Sequence, residues 1–206
     1  VKARERSAWS SADYAVVANA LQIVGEELCE SLNLYQDARV LDVAVGNTHA
    51  SLAAARRWCD VTSTDLAPDT ARRQRSEAEN LGVRFIEGDA EALPFGDQSF
   101  DAVVSTFGAM FTPDQERAAS EMIRVCRRGC QVGLANWTPE GFIGQLFAAI
   151  GSPQEPFRWG TEERLHELFG VYGNIEATRK RVAFRYRSPA EWVDKFRSNY
   201  VPVMQT

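Results

Sequence analysis

Arg39-Val-Leu-Asp-Val-Ala-Val-Gly46-Asn47-Thr48 is the stretch on which the fold turns. From Val40 to Val45 only Asp42 is polar, which reads as a short strand buried on both faces. The strand ends in a glycine turn and is followed by the alanine-rich helical stretch Ser51 to Trp58. Strand, glycine turn and helix form one unit, and the unit recurs downstream. Strand Val61 to Thr64, helix Asp69 to Leu81 and strand Val83 to Glu87 come next, then strand Ala102 to Thr106 after a loop rich in Gly, Asp and Pro. Helix Asp114 to Val125 and strand Gln131 to Asn136 complete the series. Thr112-Pro113-Asp114-Gln115 opens its helix with a threonine cap, a first-turn proline and a glutamine able to reach back. Thr138-Pro139-Glu140 and Ser188-Pro189-Ala190-Glu191 announce two further helices in the same way. Upstream, Leu21, Val24, Leu28 and Leu32 recur at the period of one buried helix face, which predicts a leading helix over Val16 to Leu32.

Strands alternating with helices of this length predict an α/β fold: a doubly wound, mostly parallel sheet in three layers, with right-handed crossovers. A length of 206 residues suits one domain. Near the end, Val182, Phe184 and Tyr186 alternate with Ala183, Arg185 and Arg187, which predicts a strand over Ile175 to Tyr186 with one wet face. That strand either pairs with the fifth or leaves a sheet edge open to a second copy, so a homodimer is a candidate.

With 45% hydrophobic and 25% charged residues the chain is globular in composition. A net charge of −5 supplies no overall field to attract a polyanion, so nucleic acid is not an expected partner. Val1 to Asp13 lacks the apolar centre of a signal peptide and no later stretch is apolar for a bilayer's width, so no membrane association and a cytoplasmic location are expected. Cys29, Cys59, Cys126 and Cys130 form no CxxC pair with a nearby histidine. They read as reduced, mostly buried thiols, and no metal is expected.

In parallel sheets of this kind, ligands bind beyond the carboxyl ends of the strands. Four such ends carry small or acidic residues: Gly46-Asn47, Asp65, Asp89-Ala90 and Thr106-Phe107-Gly108. Together they outline one elongated site. Glycine at the first lets backbone approach a ligand, and the free amides of the following helix favour a carboxylate. Asp65, one strand-helix-strand unit on, is placed to accept both hydroxyl hydrogens of a ribose. Asp89 can accept from the exocyclic amine of an adenine.

Four runs carry a resemblance: Val40-Leu-Asp-Val-Ala-Val-Gly46, Thr64-Asp65, Phe85-Ile-Glu-Gly-Asp-Ala-Glu-Ala-Leu-Pro-Phe95 and Ser99-Phe-Asp-Ala-Val-Val104. With Asn136-Trp-Thr-Pro-Glu-Gly-Phe142 after the fifth strand, the chain resembles the class I S-adenosylmethionine-dependent methyltransferases, nearest to the type 11, ubiquinone/menaquinone-methyltransferase-like group. The resemblance implies S-adenosylmethionine as cofactor, S-adenosylhomocysteine as product and a small-molecule acceptor. It implies an N-terminal helical cap over 1–36, a cofactor-binding core over 37–137, and substrate-side helices with a terminal strand over 138–206. It also implies roles: Asp42 orients the glycine turn, Gly46 and Asn47 face the methionine part, and Asp65 with Leu66 faces the ribose. Asp89 and Ala90 then face the adenine, Thr106 and Phe107 the sulfonium side, and Tyr14 belongs to a segment that closes over the methionine end. No catalytic base is named. His49 is a candidate, alongside a capping role. The acceptor side is expected to comprise the N-terminal helix, Phe107 to Phe111, Trp137, Phe142 and the loop bearing Phe157 and Trp159.

Two departures stand out. The family's turn usually has a second glycine where this chain has Thr48, whose side chain either crowds the cofactor carboxylate or binds it. The family also usually ends in two more strands, and here one is expected. A non-catalytic scaffold with a degenerate methyltransferase fold is therefore the competing reading. An NAD-dependent oxidoreductase is disfavoured because its GxGxxG turn is absent.

Overall fold

In the computed structural model, residues 19–66 and 72–199 are described. Five strands, β1 (Arg39–Val43), β2 (Asp60–Asp65), β3 (Arg84–Glu87), β4 (Phe100–Thr106) and β5 (Cys126–Ala135), form one sheet in the order β3-β2-β1-β4-β5. Every pairing is parallel, which bears out the expected sheet. Strand order reverses beside β1, so the carboxyl ends of β1 and β4 flank the crevice where such sheets bind ligands.

The period of two along the central strands divides the core. Leu41, Val43 and Val103 face one side, where α4 (Gln115–Val125), α5 (Phe142–Ala149) and α6 (Glu162–Phe169) pack with Met122, Ile143, Phe147 and Leu168. Val40, Ala102 and Val104 face the other, against α1 (Gln22–Ser31), α2 (His49–Ala55) and α3 (Arg72–Asn80). That second layer is thin because α2 is almost all alanine and every residue from Ala50 to Ala55 is buried. Within that layer α1 and α2 come equally close: a Cβ on Gly25 of α1 would stand 2.7 Å from the His49 carbonyl carbon. Asp42 lies on this small-residue face, which places its carboxyl under α2 and away from water.

Four expectations need correcting. Residues 175–186 form no ladder: they have no regular secondary structure, and among the described residues none of their backbone groups pairs with another backbone group. The predicted alternation is nevertheless present, since Val182, Phe184 and Tyr186 are half-buried between exposed neighbours. One-sided burial produces that pattern without a partner strand. Phe184 lies 6.0 Å from Trp137 and 5.5 Å from Phe196 of α7 (Pro189–Asn199), and Lys180 pairs with Glu27 at 2.9 Å. β5 is thus an edge strand among the described residues.

β5 also begins five residues before the expected Gln131. Its register with β4 jumps from Phe100↔Cys126 to Ala102↔Gln131, so residues 127–130 bulge outward opposite Asp101. The bulge folds the strand back at Gly129, φ 77°, and brings Cys126 and Cys130 to a Cα separation of 5.8 Å, where they are bonded to each other. Only Cys29 and Cys59 are free thiols. Finally, Asp114 caps α4, accepting from the Arg117 amide at 2.9 Å, while the Thr112 hydroxyl donates to Ala109 O. Ser188 does cap α7, accepting from the Glu191 amide at 3.1 Å, and Glu191 reaches back to the Arg187 amide.

Candidate functional site

The turn after β1 alternates in handedness. Ala44, Gly46 and Thr48 all have positive φ, at 53°, 49° and 60°, yet only the middle one is glycine. A side chain in that region costs about 1–2 kcal/mol, most for a β-branched residue such as Thr48. Thr48 is also 1% exposed and Asn47 4% exposed. Beneath them the Asp42 carboxylate accepts from the Ser51 hydroxyl at 2.6 Å, and Ser51 lies 2.7 Å from the Ser63 hydroxyl. Burial pushes the Asp42 carboxyl up to about 7.

Hydrogen bonds join this turn to its neighbours. The Gly46 amide donates to the Asp65 carboxylate at 2.9 Å, Val45 N–H to Thr64 O at 3.1 Å, and Gly88 N–H to Asp65 O at 3.1 Å. The ends of β1, β2 and β3 therefore form one row. On the other side, the Ser105 hydroxyl donates to Val43 O at 2.7 Å and accepts from the Ala109 amide at 3.0 Å. Gly108 sits so tightly on the turn that a Cβ there would lie 2.1 Å from Ala44 O. Next to it Phe107, at φ 58°, stacks on Trp137 with ring centroids 3.9 Å apart.

The loop after β3 is held from behind by α4. Glu121 accepts from the Leu93 amide at 2.8 Å, and Arg124 donates to Leu93 O at 3.0 Å and to Phe95 O and Asp97 at 2.8 Å. The Arg124 guanidinium beside Glu121 holds that carboxyl below the usual carboxylate range. At the head of the loop the Asp89 carboxylate accepts from the Glu91 amide at 3.0 Å, a turn that orients Ala90 inward, where it is buried.

Comparison with known proteins supplies the family. Residues 41–133 match the family model for a methyltransferase domain. Over 213 residues, 97% of this chain and 77% of the relative, the chain is 38% identical to the uncharacterized protein Rv1403c of Mycobacterium tuberculosis. It is 35% identical to demethylmenaquinone methyltransferase of Thermus thermophilus over 140 residues, 65% of this chain and 62% of that one. Among solved structures, the YcgJ protein of Bacillus subtilis superposes with TM-score 0.51 at 28% identity, covering 60% of this chain and 55% of that chain. A methyltransferase of Aquifex aeolicus, with TM-score 0.58 at 17% identity over 72% of this chain and 78% of its own, shares the fold.

Residues 41–133 of the chain form a methyltransferase domain of the class I, type 11 S-adenosylmethionine-dependent group. Its cofactor is S-adenosylmethionine. The residues of this methyltransferase fit that group. Asn47 Oδ1 and Thr48 Oγ1 are buried without a protein partner in the turn after β1, where a polar ligand would complete them.

Of the residues singled out from the sequence, Gly46, Asn47, Asp65, Leu66, Asp89, Ala90, Thr106 and Phe107 all stand at these strand ends. Asp42 does not reach the rim: it is 0% exposed and acts under the turn through Ser51. Tyr14 lies outside the described residues. Phe157 and Trp159 are both 0% exposed and pack on Phe147 and Phe169, so they belong to the core and not to the acceptor side. His49 Nε2 accepts from the Asn47 amide nitrogen at 2.9 Å. Sequence reasoning missed Ser51, Ser63, Ser105, Glu121 and Arg124. Only Ser51 left a trace, as a hydroxyl in an otherwise apolar helical run. Among the described residues no helix is long and apolar enough to cross a membrane, and no group of three His, Cys, Asp or Glu side chains is arranged to hold a metal.

Proposed function

We propose that this methyltransferase moves the methyl group of S-adenosylmethionine to a small, partly apolar organic acceptor, releasing S-adenosylhomocysteine. The single observation behind this reading is the row built by Gly46 N–H on the Asp65 carboxylate and Gly88 N–H on Asp65 O, which lines up three strand ends for one elongated ligand. In it, Asp65 and Leu66 hold the ribose, Asp89 and Ala90 the adenine, and Gly46 and Asn47 the methionine part. Thr106 and Phe107 border the sulfonium, and Asp42 supports the turn from below. When bound, the cofactor supplies a methyl group activated for in-line displacement, and the protein's contribution is alignment and exclusion of water.

The stacked Phe107 and Trp137 rings and the exposed Phe142 favour an acceptor with an apolar face. The name of the Thermus relative puts a quinol first among acceptors to try. Net charge −5 argues against a nucleic-acid acceptor, and the same reading places the reaction in the cytoplasm. Dimerisation through the β5 edge is a separable part of it, removed by a monomeric mass in solution.

The test is label transfer from S-adenosylmethionine to a panel of quinol, phenol, amine and carboxylate acceptors. Transfer to an apolar member is the expected result, and Asp65→Ala lowers it at least about 100-fold, the scale of losing a charge-assisted pair of hydrogen bonds. Full activity in Asp65→Ala would remove the ribose contact. No cofactor binding at millimolar concentration would instead favour the scaffold reading.

A further inference from the structure

The four cysteines divide by where the fold leaves them. Cys29 is 0% exposed and donates to Ala50 O at 3.6 Å, and burial pushes its thiol up to about 12. Cys59 donates to Tyr35 O at 3.4 Å, and burial raises its thiol in the same direction. Both are held as neutral, unreactive thiols. Cys126 and Cys130 stand instead at the amino-terminal end of β5, half-buried on either side of the exposed residues 127–129. They lie only four positions apart, so their bond constrains the unfolded chain too little to act as a staple for the whole fold. It acts on the bulge. At the base of the bulge the Asp101 carboxylate accepts from the Arg39 amide at 2.7 Å and pairs with Arg127 Nε at 2.6 Å, and the ladder to β4 resumes at Gln131. Arg128, Gly129 and Cys130 are the span between those anchors, and the bond to Cys126 is what folds them back.

We propose that Cys126 and Cys130 form a site of reversible thiol–disulfide exchange with low-molecular-weight thiols, and that their bond is the clip that keeps the β5 bulge folded. Disulfides at an exposed edge are the labile ones, because a solvent thiol reaches the sulfurs. In opening, the thiolate of one small thiol bonds to one cysteine sulfur, while the other cysteine leaves as a thiolate and takes up a proton. A second small thiol then displaces the first, so two small thiols are oxidised to one disulfide as the two cysteines are reduced. Closing runs the same steps backwards, with the small disulfide as oxidant. The site lies at the end of β5 away from Trp137 and is separate from the rim where the cofactor is placed.

Thiol trapping on the purified protein tests this. The protein is equilibrated in glutathione buffers whose ratio of squared glutathione to glutathione disulfide spans about five orders of magnitude, the interval between the most oxidising and the most reducing compartments of cells. Acid quenching, alkylation and peptide mass spectrometry then read the oxidised fraction of the pair. It is expected to pass from mostly reduced to mostly oxidised inside that interval, while Cys29 and Cys59 stay reduced. Cys126→Ser and Cys130→Ser each leave one sulfur without its partner, and each variant should carry a glutathione adduct on that sulfur at the oxidising end. Gly129→Ala addresses the clip. Gly129 has φ 77° and a Cβ there would meet nothing within 4 Å, so the substitution acts through backbone conformation alone. It should shift the midpoint about tenfold toward the reduced form, the scale of holding a side chain in the left-handed region.

The site is overturned if the pair stays oxidised at every ratio, the behaviour of a purely structural bond, or stays reduced at every ratio. It is also overturned if neither serine variant forms an adduct, since the sulfurs would then be out of reach of a small thiol. An unchanged midpoint in Gly129→Ala would overturn the clip, because the bulge would then stand without the bond. None of these readouts passes through methyl transfer, so they stand or fall apart from the proposed function.

Discussion

The turn after β1 and the loop after β3 stand at the same rim and are held in opposite ways. The loop is saturated: Glu121 and Arg124 take both the N–H and the C=O of Leu93, Arg124 takes Phe95 O, and Glu91 ties to Asp114 and Arg117 of α4 and its cap. The turn is strained and incomplete, with two non-glycine residues at positive φ and two buried oxygens unpaired. The loop is therefore shaped before any ligand arrives, and the turn is finished by the ligand. A lesion in the loop should appear as lost stability, whereas a lesion in the turn should appear as lost affinity.

Arg124→Met is the strongest way to break that contrast. It strips Glu121, whose side chain is 7% exposed, of its charged partner and frees two backbone carbonyls at once. Arg124 itself is 30% exposed, so the loss should fall below that of a fully buried pair, at about 2–3 kcal/mol in urea unfolding. Faster hydrogen exchange at the Leu93 amide should accompany it. A loss under about 0.5 kcal/mol would mean that the loop holds its own shape, and the contrast would go with it.

Asp42→Asn sharpens the other side. Burial raises the Asp42 carboxyl from its ordinary value of 3.8 to about 7, so the folded chain binds this proton more tightly than the unfolded one. Its contribution to stability is complete below pH 3.8 and is lost as pH rises through about 7. Across that window the residue should make stability fall by at most about 1.4 kcal/mol per pH unit. The asparagine variant should lack this component, giving a flatter denaturation-midpoint profile between those two pH values. An unchanged slope would place the proton elsewhere.

What the sequence made legible follows from the range of the forces involved. β1, its turn and α2 could be read because a strand buried on both faces is a local apolar run, and Gly46 marks its end. Asp65 and Asp89 could be read as strand-end acids for the same reason. Residues 175–186 misled because alternation reports a wet face and a dry face, and says nothing about a neighbour to hydrogen-bond. The start of β5 was hidden by Arg127-Arg128-Gly129, which interrupts the apolar pattern just where the strand bulges. Arg124 was invisible as a site residue: its partners in the loop after β3 lie 27 to 31 positions away, and only the packing of α4 brings them together. The cap at Asp114 was missed because Thr112-Pro113 also fits a cap followed by a first-turn proline, and only the fold decided between the two starts.

Ala44 is the smallest test and the most pointed, because its conformation contradicts its residue type. At φ 53° alanine carries a steric cost that glycine does not, and its Cβ sits against Gly108, 2.7 Å from where a Cβ on that glycine would be. Ala44→Gly removes the strain and adds entropy to the unfolded chain, two effects that partly cancel. Where φ is positive the first should win, and the variant should gain about 0.5–1 kcal/mol. The same change at Ala148, exposed in α5, removes no strain and should lose about that amount. Opposite signs in one denaturation series would show that the turn after β1 is held against its own preference. Equal losses at both positions would mean that Ala44 rests comfortably, and the turn could then no longer be set against the loop as the strained half of the rim.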